Sequence, residues 1–539
     1  MLDVLTFVLA ALAVIVVLQY LADRTGLPAA ALLTVAGLVY GVLPGPNLTL
    51  DPHLILTFVI PPLIYSAALN SSLLAIRENL RAVISLSIGL VLATAVLVGI
   101  GMDLFVPGVG LGAGIALGAA LAPTDPVAAL AVGGRAGLPP KLITIIEGEG
   151  LLNDATALTT LTVAVAAVEG GSFSLGHAVF EFLLAAAGGL LCGLAVAAVV
   201  RLLRSAVRDP LLVNGISLAT PFAAYLLGEE LHVSGVLAVA VAGLVIGHDT
   251  PRFTSGASRL QATAVWHLAD FLLQGFVFLL IGQQIAPVIR GLTAYPTVTI
   301  VSAVAVSLGV ALLLRPLWLA LTELLPRAVR RRLGRPSRDD QYLSGRQVAV
   351  LSWAGTRGVI TLAAIFTLPL TIVGGRPFPG RDLELFCAYL VVVVTLVGQG
   401  LTFGLVARML GVRADEADAA LARTQARAAS VQAGLARLDQ LAEDDVPGPA
   451  LAALRASLDA KVRRYGQVLD RLETREDNEP ADAPDYEAAL RARRAVIDAQ
   501  REELLRWRDA GHLPDASLRI LERELDHEER TLPPHDDGH

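Results

Sequence analysis

Thirteen apolar windows recur along the first 410 residues of the chain, each of roughly 20 residues, the length needed to cross a hydrocarbon core of about 30 Å. They lie near 3–23, 28–44, 52–69, 81–101, 108–133, 141–168, 175–200, 211–228, 233–247, 261–285, 296–324, 347–374 and 383–410. In lipid a backbone must satisfy its own N–H and C=O groups, so segments of this length are read as helices. The expected fold is an all-α polytopic membrane protein. Composition agrees: 17% of the 539 residues are charged and the mean hydropathy is +0.63, whereas soluble domains are about 25% charged. The run from Val4 to Leu21 has no basic leader and exceeds a signal-peptide core, so it is expected to be a retained first span.

The net charge of −7 averages over an uneven chain, with few charges before about residue 411 and many after. Loop charges test the span count. With the N-terminus outside, the inward loops carry Arg24, Arg77, Arg81, Arg135, Lys141, Arg201, Arg204, Arg208, Arg252, Arg259 and a final group from Arg327 to Arg346 that includes Arg335 and Arg338. The outward loops carry only Arg290, Arg376 and Arg381. The positive-inside rule then sets the N-terminus outside and the C-terminus in the cytoplasm of a cell-membrane protein.

Within the sixth window, Ile146 to Thr160 carries Glu147, Glu149 and Asp154 among apolar neighbours. A charge at the centre of a bilayer costs roughly 2.5–3.5 kcal/mol on insertion scales, so these carboxylates need partners or a cation. Helical spacing puts Glu149 and Asn153 on one face and turns Asp154 about a quarter-turn away. One face is available to a protein cation and the other to a cation from solution. The bland alternative, a loop between two spans, sits poorly with the flanking apolar residues.

The fifth and twelfth windows are interrupted. Ala122-Pro123-Thr124-Asp125-Pro126 sets two prolines in apolar sequence, and Ala354-Gly355-Thr356-Arg357-Gly358 makes a second flexible, polar break. Six windows counted from each end, with the seventh as linker, make these the fifth members of two halves. That arrangement is expected of inverted repeats whose broken helices cross at the midplane and build an ion site. The alternative for the breaks alone is a proline kink or a small-residue packing seam.

A carboxylate removed from water holds either a proton or a cation, and competition for one site couples the two fluxes. Asp154 is the candidate for that group. Thr124, Asp125 and the carbonyls freed at the break are candidate neighbours for a hard monovalent cation, with Asn153 orienting the site. Asp125 has a second role open to it, neutralising the partial charges of the crossing helix ends. Arg357 is always protonated and requires a carboxylate across the bundle; Glu149 is the expected partner. Accessory candidates are Ser66, Glu147 and Gln274. His267 and Asp270 are read as entry-funnel or packing residues, Arg315 before Pro316 as a side chain that snorkels or pairs locally.

Beyond Leu410 the sequence turns to Ala, Arg, Asp, Glu and Leu. Ala414–Leu441 and Ala450–Thr474 are expected as amphipathic helices in water, with Arg475–Asp485 as a linker to a last helical part, Tyr486–Thr531. The domains expected are thus a membrane part, 1–410, and a cytoplasmic helical part, 411–539.

Six strings carry a family resemblance: PPLIYSAAL (Pro61 to Leu69), APTDPVA (Ala122 to Ala128), GEGLLNDATA (Gly148 to Ala157), FVFLLIGQQI (Phe276 to Ile285), GTRGVITLA (Gly355 to Ala363) and LVGQGLT (Leu396 to Thr402). In these the chain resembles bacterial sodium/proton antiporters of the first cation:proton antiporter family, relatives of the animal sodium/hydrogen exchangers. The resemblance implies thirteen spans with inverted repeats, a homodimer, and sodium exchanged for a proton. It implies Asp154 as the ion-binding carboxylate with Asn153 beside it, Thr124 and Asp125 as crossing-helix residues, and Glu149 with Arg357 as a structural ion pair. An Asn-Asp pair is associated with electroneutral exchange. The chain departs from many members at Ser66, where they have an acidic residue, and at Gly150, where they have serine; both bear on sodium against potassium.

Other classes fare less well. A hydrolase needs a nucleophile with a base or a zinc motif, and neither is evident; Cys192 and Cys387 both fall in apolar runs. No phosphate-binding loop is found, so ion gradients are the expected driving force and no cofactor or nucleic acid is expected. A scaffold acting through the helical tail would have no use for Asp154, Asn153 and Arg357 in the bilayer. An ion channel is harder to separate by residues alone.

Overall fold

The computed structural model describes residues 2–43, 54–135, 137–170, 175–207, 209–254, 256–332, 342–372, 375–414, 416–443, 448–474, 484–510, 512 and 515–530. The chain divides into two compact units, Met1–Ala414 and Asp415–His539.

The first unit is helical, with one isolated bridge between Thr371 and Pro377 among the described residues. Its helices include α1 (Leu2–Thr25), α2 (Ala29–Val42), α3 (Ile55–Asn70), α4 (Leu80–Phe105), the pair α5a (Gly110–Leu121) and α5b (Val127–Arg135), α6 (Pro140–Gly170), α7 (Leu175–Ala206), α8 (Pro210–Glu230), α9 (Gly235–Phe253), α10 (Gly256–Gln283), α11 (Thr297–Leu319), the pair α12a (Gly345–Trp353) and α12b (Val359–Phe366), and α13 (Arg381–Met409). Eight helices among the described residues are long and apolar enough to cross a membrane, and four shorter apolar ones accompany them. The limits 44 and 52 set for the second and third windows, and the loop residues Arg335 and Arg338, lie outside the described residues. The twelfth window runs past its helix: α12b stops at Phe366, one turn before Pro369.

Large apolar side chains face outward, Leu202 at 70% and Leu211 at 74% exposed, which water would penalise and lipid does not. Small residues bring helices into backbone contact. A Cβ on Gly118 of α5a would lie 2.7 Å from the Ala95 backbone of α4, and one on Gly41 of α2 would lie 2.7 Å from the Gln283 carbonyl of α10.

The second unit contains α14 (Glu416–Glu443), α15 (Gly448–Thr474), α16 (Pro484–Asp509) and α17 (Asp515–Arg530). Arg501 of α16 ties to Asp526 and Glu529 of α17 at 2.6 and 2.5 Å, and Ile497 and Leu518 are buried. The last helical part consists of two helices, α16 and α17. Thr531 and most of the expected linker lie outside the described residues, and Pro484 and Asp485 already belong to α16.

Candidate functional site

The two breaks touch directly. The Asp125 N–H donates to the Thr356 carbonyl at 2.7 Å, and the Thr356 hydroxyl donates to the Asp125 carbonyl at 2.7 Å. Prolines at 123 and 126 remove donors and disfavour helix just before them, which is why the chain opens there and frees groups for this crossing. The charges in the breaks serve opposite helix ends. Arg357 reaches across and donates through its guanidinium to the carbonyl of Ala122, the cap of α5a. Asp125 accepts from the Val127 N–H at 2.9 Å at the start of α5b. It also lies against Gly358, the cap of α12b, where a Cβ would overlap its carboxylate. A cation at a helix C-terminus and an anion at two N-termini offset the partial charges of the half-helices.

Glu149, 2% exposed, is held by a different arginine from the one expected. Both of its oxygens bond the Arg315 guanidinium, and Glu149 Oε2 lies 2.9 Å from Arg315 Nη2. No ion pair joins Glu149 to Arg357 among the described residues, so the pairing expected from sequence is corrected. Arg315 is 2% exposed, and its Nε also donates to the Leu351 carbonyl at 2.9 Å, in the last turn of α12a. It neither snorkels nor pairs locally, because Glu149 and an open helix end together satisfy its planar fork. Arg357 instead uses its side chain on Ala122 and its backbone N–H on Thr395 Oγ1 at 3.0 Å.

Thr124 links break and helix. Its hydroxyl donates to Glu149 Oε1 at 2.7 Å and accepts from Asn153 Nδ2 at 3.0 Å, while its carbonyl accepts from the same amide at 3.2 Å. The face of α6 that carries Glu149 and Asn153 is thus bound into the crossing. The face with Asp154, 5% exposed, looks onto a cavity of about 240 Å³. Thr124, Asp125, Glu147, Ser66, Gln274 and Asp270 are on its walls. Gly150 is there as well, and a Cβ on it would come within 2.9 Å of Pro126, so the position is kept bare by packing.

Of the residues singled out in the sequence, the cavity gathers Asp154, Asp125, Thr124, Ser66, Glu147 and Gln274; Asn153, Glu149 and Arg357 act on the crossing beside it. Asp270, read from the sequence as an entry-funnel or packing residue, lies on the cavity wall. It accepts the Ser66 hydroxyl at 2.5 Å, so the tenth window supplies a carboxylate where the third has only serine. The signal was an acidic residue four positions before Gln274, one helical turn apart.

Crossed broken helices with offset end charges, beside a carboxylate-lined cavity inside an apolar bundle, define a multi-pass membrane transporter of ions. The sodium/hydrogen exchanger transmembrane model matches residues 8–409, and the chain belongs to that family. It is 34% identical to an uncharacterized Na(+)/H(+) exchanger of Mycobacterium tuberculosis over 98% of this chain and 96% of that one. It is also 34% identical to the sodium, potassium, lithium and rubidium/H(+) antiporter of Bacillus subtilis, over 66% of this chain and 53% of the relative. The sodium proton antiporter MjNhaP1 of Methanocaldococcus jannaschii shares the fold, with a TM-score of 0.59 and 18% identity over 75% of this chain and 98% of that one.

Proposed function

We propose that this protein exchanges sodium for protons across the cell membrane by alternating access, with Asp154 as the one group that carries either ion in turn. The observation that carries this reading is Asp154 itself, buried on a cavity wall beside the helix crossing and left out of the hydrogen-bonded set that Glu149, Asn153 and Thr124 form. Thr124 and Asp125 are the nearest candidate sodium ligands, and Asn153 positions the break without adding charge. A single titrating carboxylate that holds one proton or one monovalent cation makes the exchange electroneutral. The bundle crosses the membrane thirteen times, N-terminus outside and C-terminal unit in the cytoplasm, as a homodimer; the arginine-rich inward loops support the orientation.

A second reading is favoured by the Bacillus subtilis relative, whose name covers potassium, lithium and rubidium besides sodium. Serine at 66 and glycine at 150 agree with a site less committed to sodium. Proton efflux from acid-loaded proteoliposomes on addition of sodium, lithium or potassium tests both. The expected outcome is cation-driven efflux in the wild type that Asp154→Asn abolishes, and the responding ions rank the site. Undiminished exchange in Asp154→Asn would refute the assignment.

A further inference from the structure

Threonines in the helices of the membrane unit return their hydroxyls to the carbonyl four residues back: Thr34 to Ala30, Thr94 to Leu90, Thr156 to Leu152, Thr220 to Ile216 and Thr395 to Val391. Thr361 does not. It is the third residue of α12b, so four residues back is Arg357, which lies in the break before the helix begins. Its Oγ1 has no hydrogen-bond partner among the described residues although the residue is 1% exposed, and Thr361 lies on the wall of the cavity that Asp125 and Asp154 share. A buried hydroxyl without a partner is costly, and one on a cavity wall recovers that cost when a ligand arrives.

We propose that Thr361 Oγ1 completes the oxygen shell of the monovalent cation held at Asp154 and sets how the site ranks cations; this rests on the antiporter reading above. Hard cations take oxygen ligands, and the number and spacing of those oxygens decide which ion fits. A hydroxyl adds a ligand without adding charge, so a cation replaces a proton one for one. The positive end of α12b would by itself repel a cation there. Asp125, lying against Gly358 at that end, offsets it. A proton on Asp154 needs no second oxygen, so Thr361 distinguishes the cation-loaded site from the protonated one.

The test reconstitutes wild type, Thr361→Val, Thr361→Ala, Thr361→Ser and Asp154→Asn in proteoliposomes and follows proton movement against sodium, lithium and potassium. The half-saturating sodium concentration is expected to rise on the order of tenfold in the Val and Ala variants, with the maximal rate within about twofold. Their sodium-to-potassium ratio changes, their pH profile at subsaturating sodium moves to more alkaline values, and Thr361→Ser restores wild-type behaviour. Val replaces the hydroxyl with a methyl at nearly constant shape; if it fails to fold, Ala decides by the same measures. Wild-type half-saturation and cation order in the Val or Ala variant, with Asp154→Asn inactive, overturns the proposal and leaves the antiporter reading standing. Undiminished exchange in Asp154→Asn overturns both.

Discussion

Glu149 and Arg315 lie 166 residues apart in sequence and form a pair almost closed to solvent. Leaving one charge of such a pair buried alone costs about 3–5 kcal/mol. Glu149→Gln and Arg315→Met are therefore each expected to lower the thermal unfolding temperature in detergent markedly, and Arg315→Lys to rescue little because it cannot bond both oxygens. A double-mutant cycle should find strong coupling between positions 149 and 315 and much weaker coupling between 149 and 357; the reverse order would contradict the geometry. The need for a partner was legible in the sequence, since a carboxylate at mid-bilayer demands one. Which arginine answers was not: Arg315 and Arg357 both lie in apolar windows, and hydropathy says nothing of where either points.

At the scale of elements, the crossing of α5 and α12 depends on close approach. Gly358 leaves room for the Asp125 carboxylate, and a Cβ there would overlap it. Gly358→Ala is expected to cut exchange by roughly tenfold or more by pushing Asp125 off the end of α12b, a loss of about 1.4 kcal/mol or greater, read as rate in proteoliposomes with Asp154 intact. Thr356→Val removes one hydrogen bond between the breaks and is expected to cost about 1 kcal/mol of stability in detergent. Both breaks announced themselves in the sequence through proline, glycine and a lone charge. The reciprocal service of Arg357 to α5a and Asp125 to α12b did not, because it requires knowing that the two breaks meet.

For the whole molecule, the division after Ala414 separates an apolar bundle with its own buried core from a charged helical unit whose helices bury residues such as Ile497 and Leu518. No residue proposed for transport lies beyond the boundary. Deletion of 415–539 is accordingly expected to leave a membrane unit that still exchanges ions in proteoliposomes. An inactive truncation that remains folded and membrane-inserted would assign the tail a part in transport itself; an unchanged pH profile would deny it a part in pH sensing.

By itself the sequence determined the helical class, the positions of the apolar segments, the two breaks, and the presence of Asp154, Glu149 and Asn153 in the sixth segment and of Thr124 in the first break, because hydropathy, helical period and proline chemistry act over a few residues. Tertiary structure alone decided that Glu149 goes to Arg315, that Ser66 meets Asp270 across 204 positions, and that Thr361, whose hydroxyl has no partner among the described residues, lines the same cavity as Asp154. Those outcomes depend on which helix faces are pressed together, and a polar atom in lipid takes the partner that packing brings within reach.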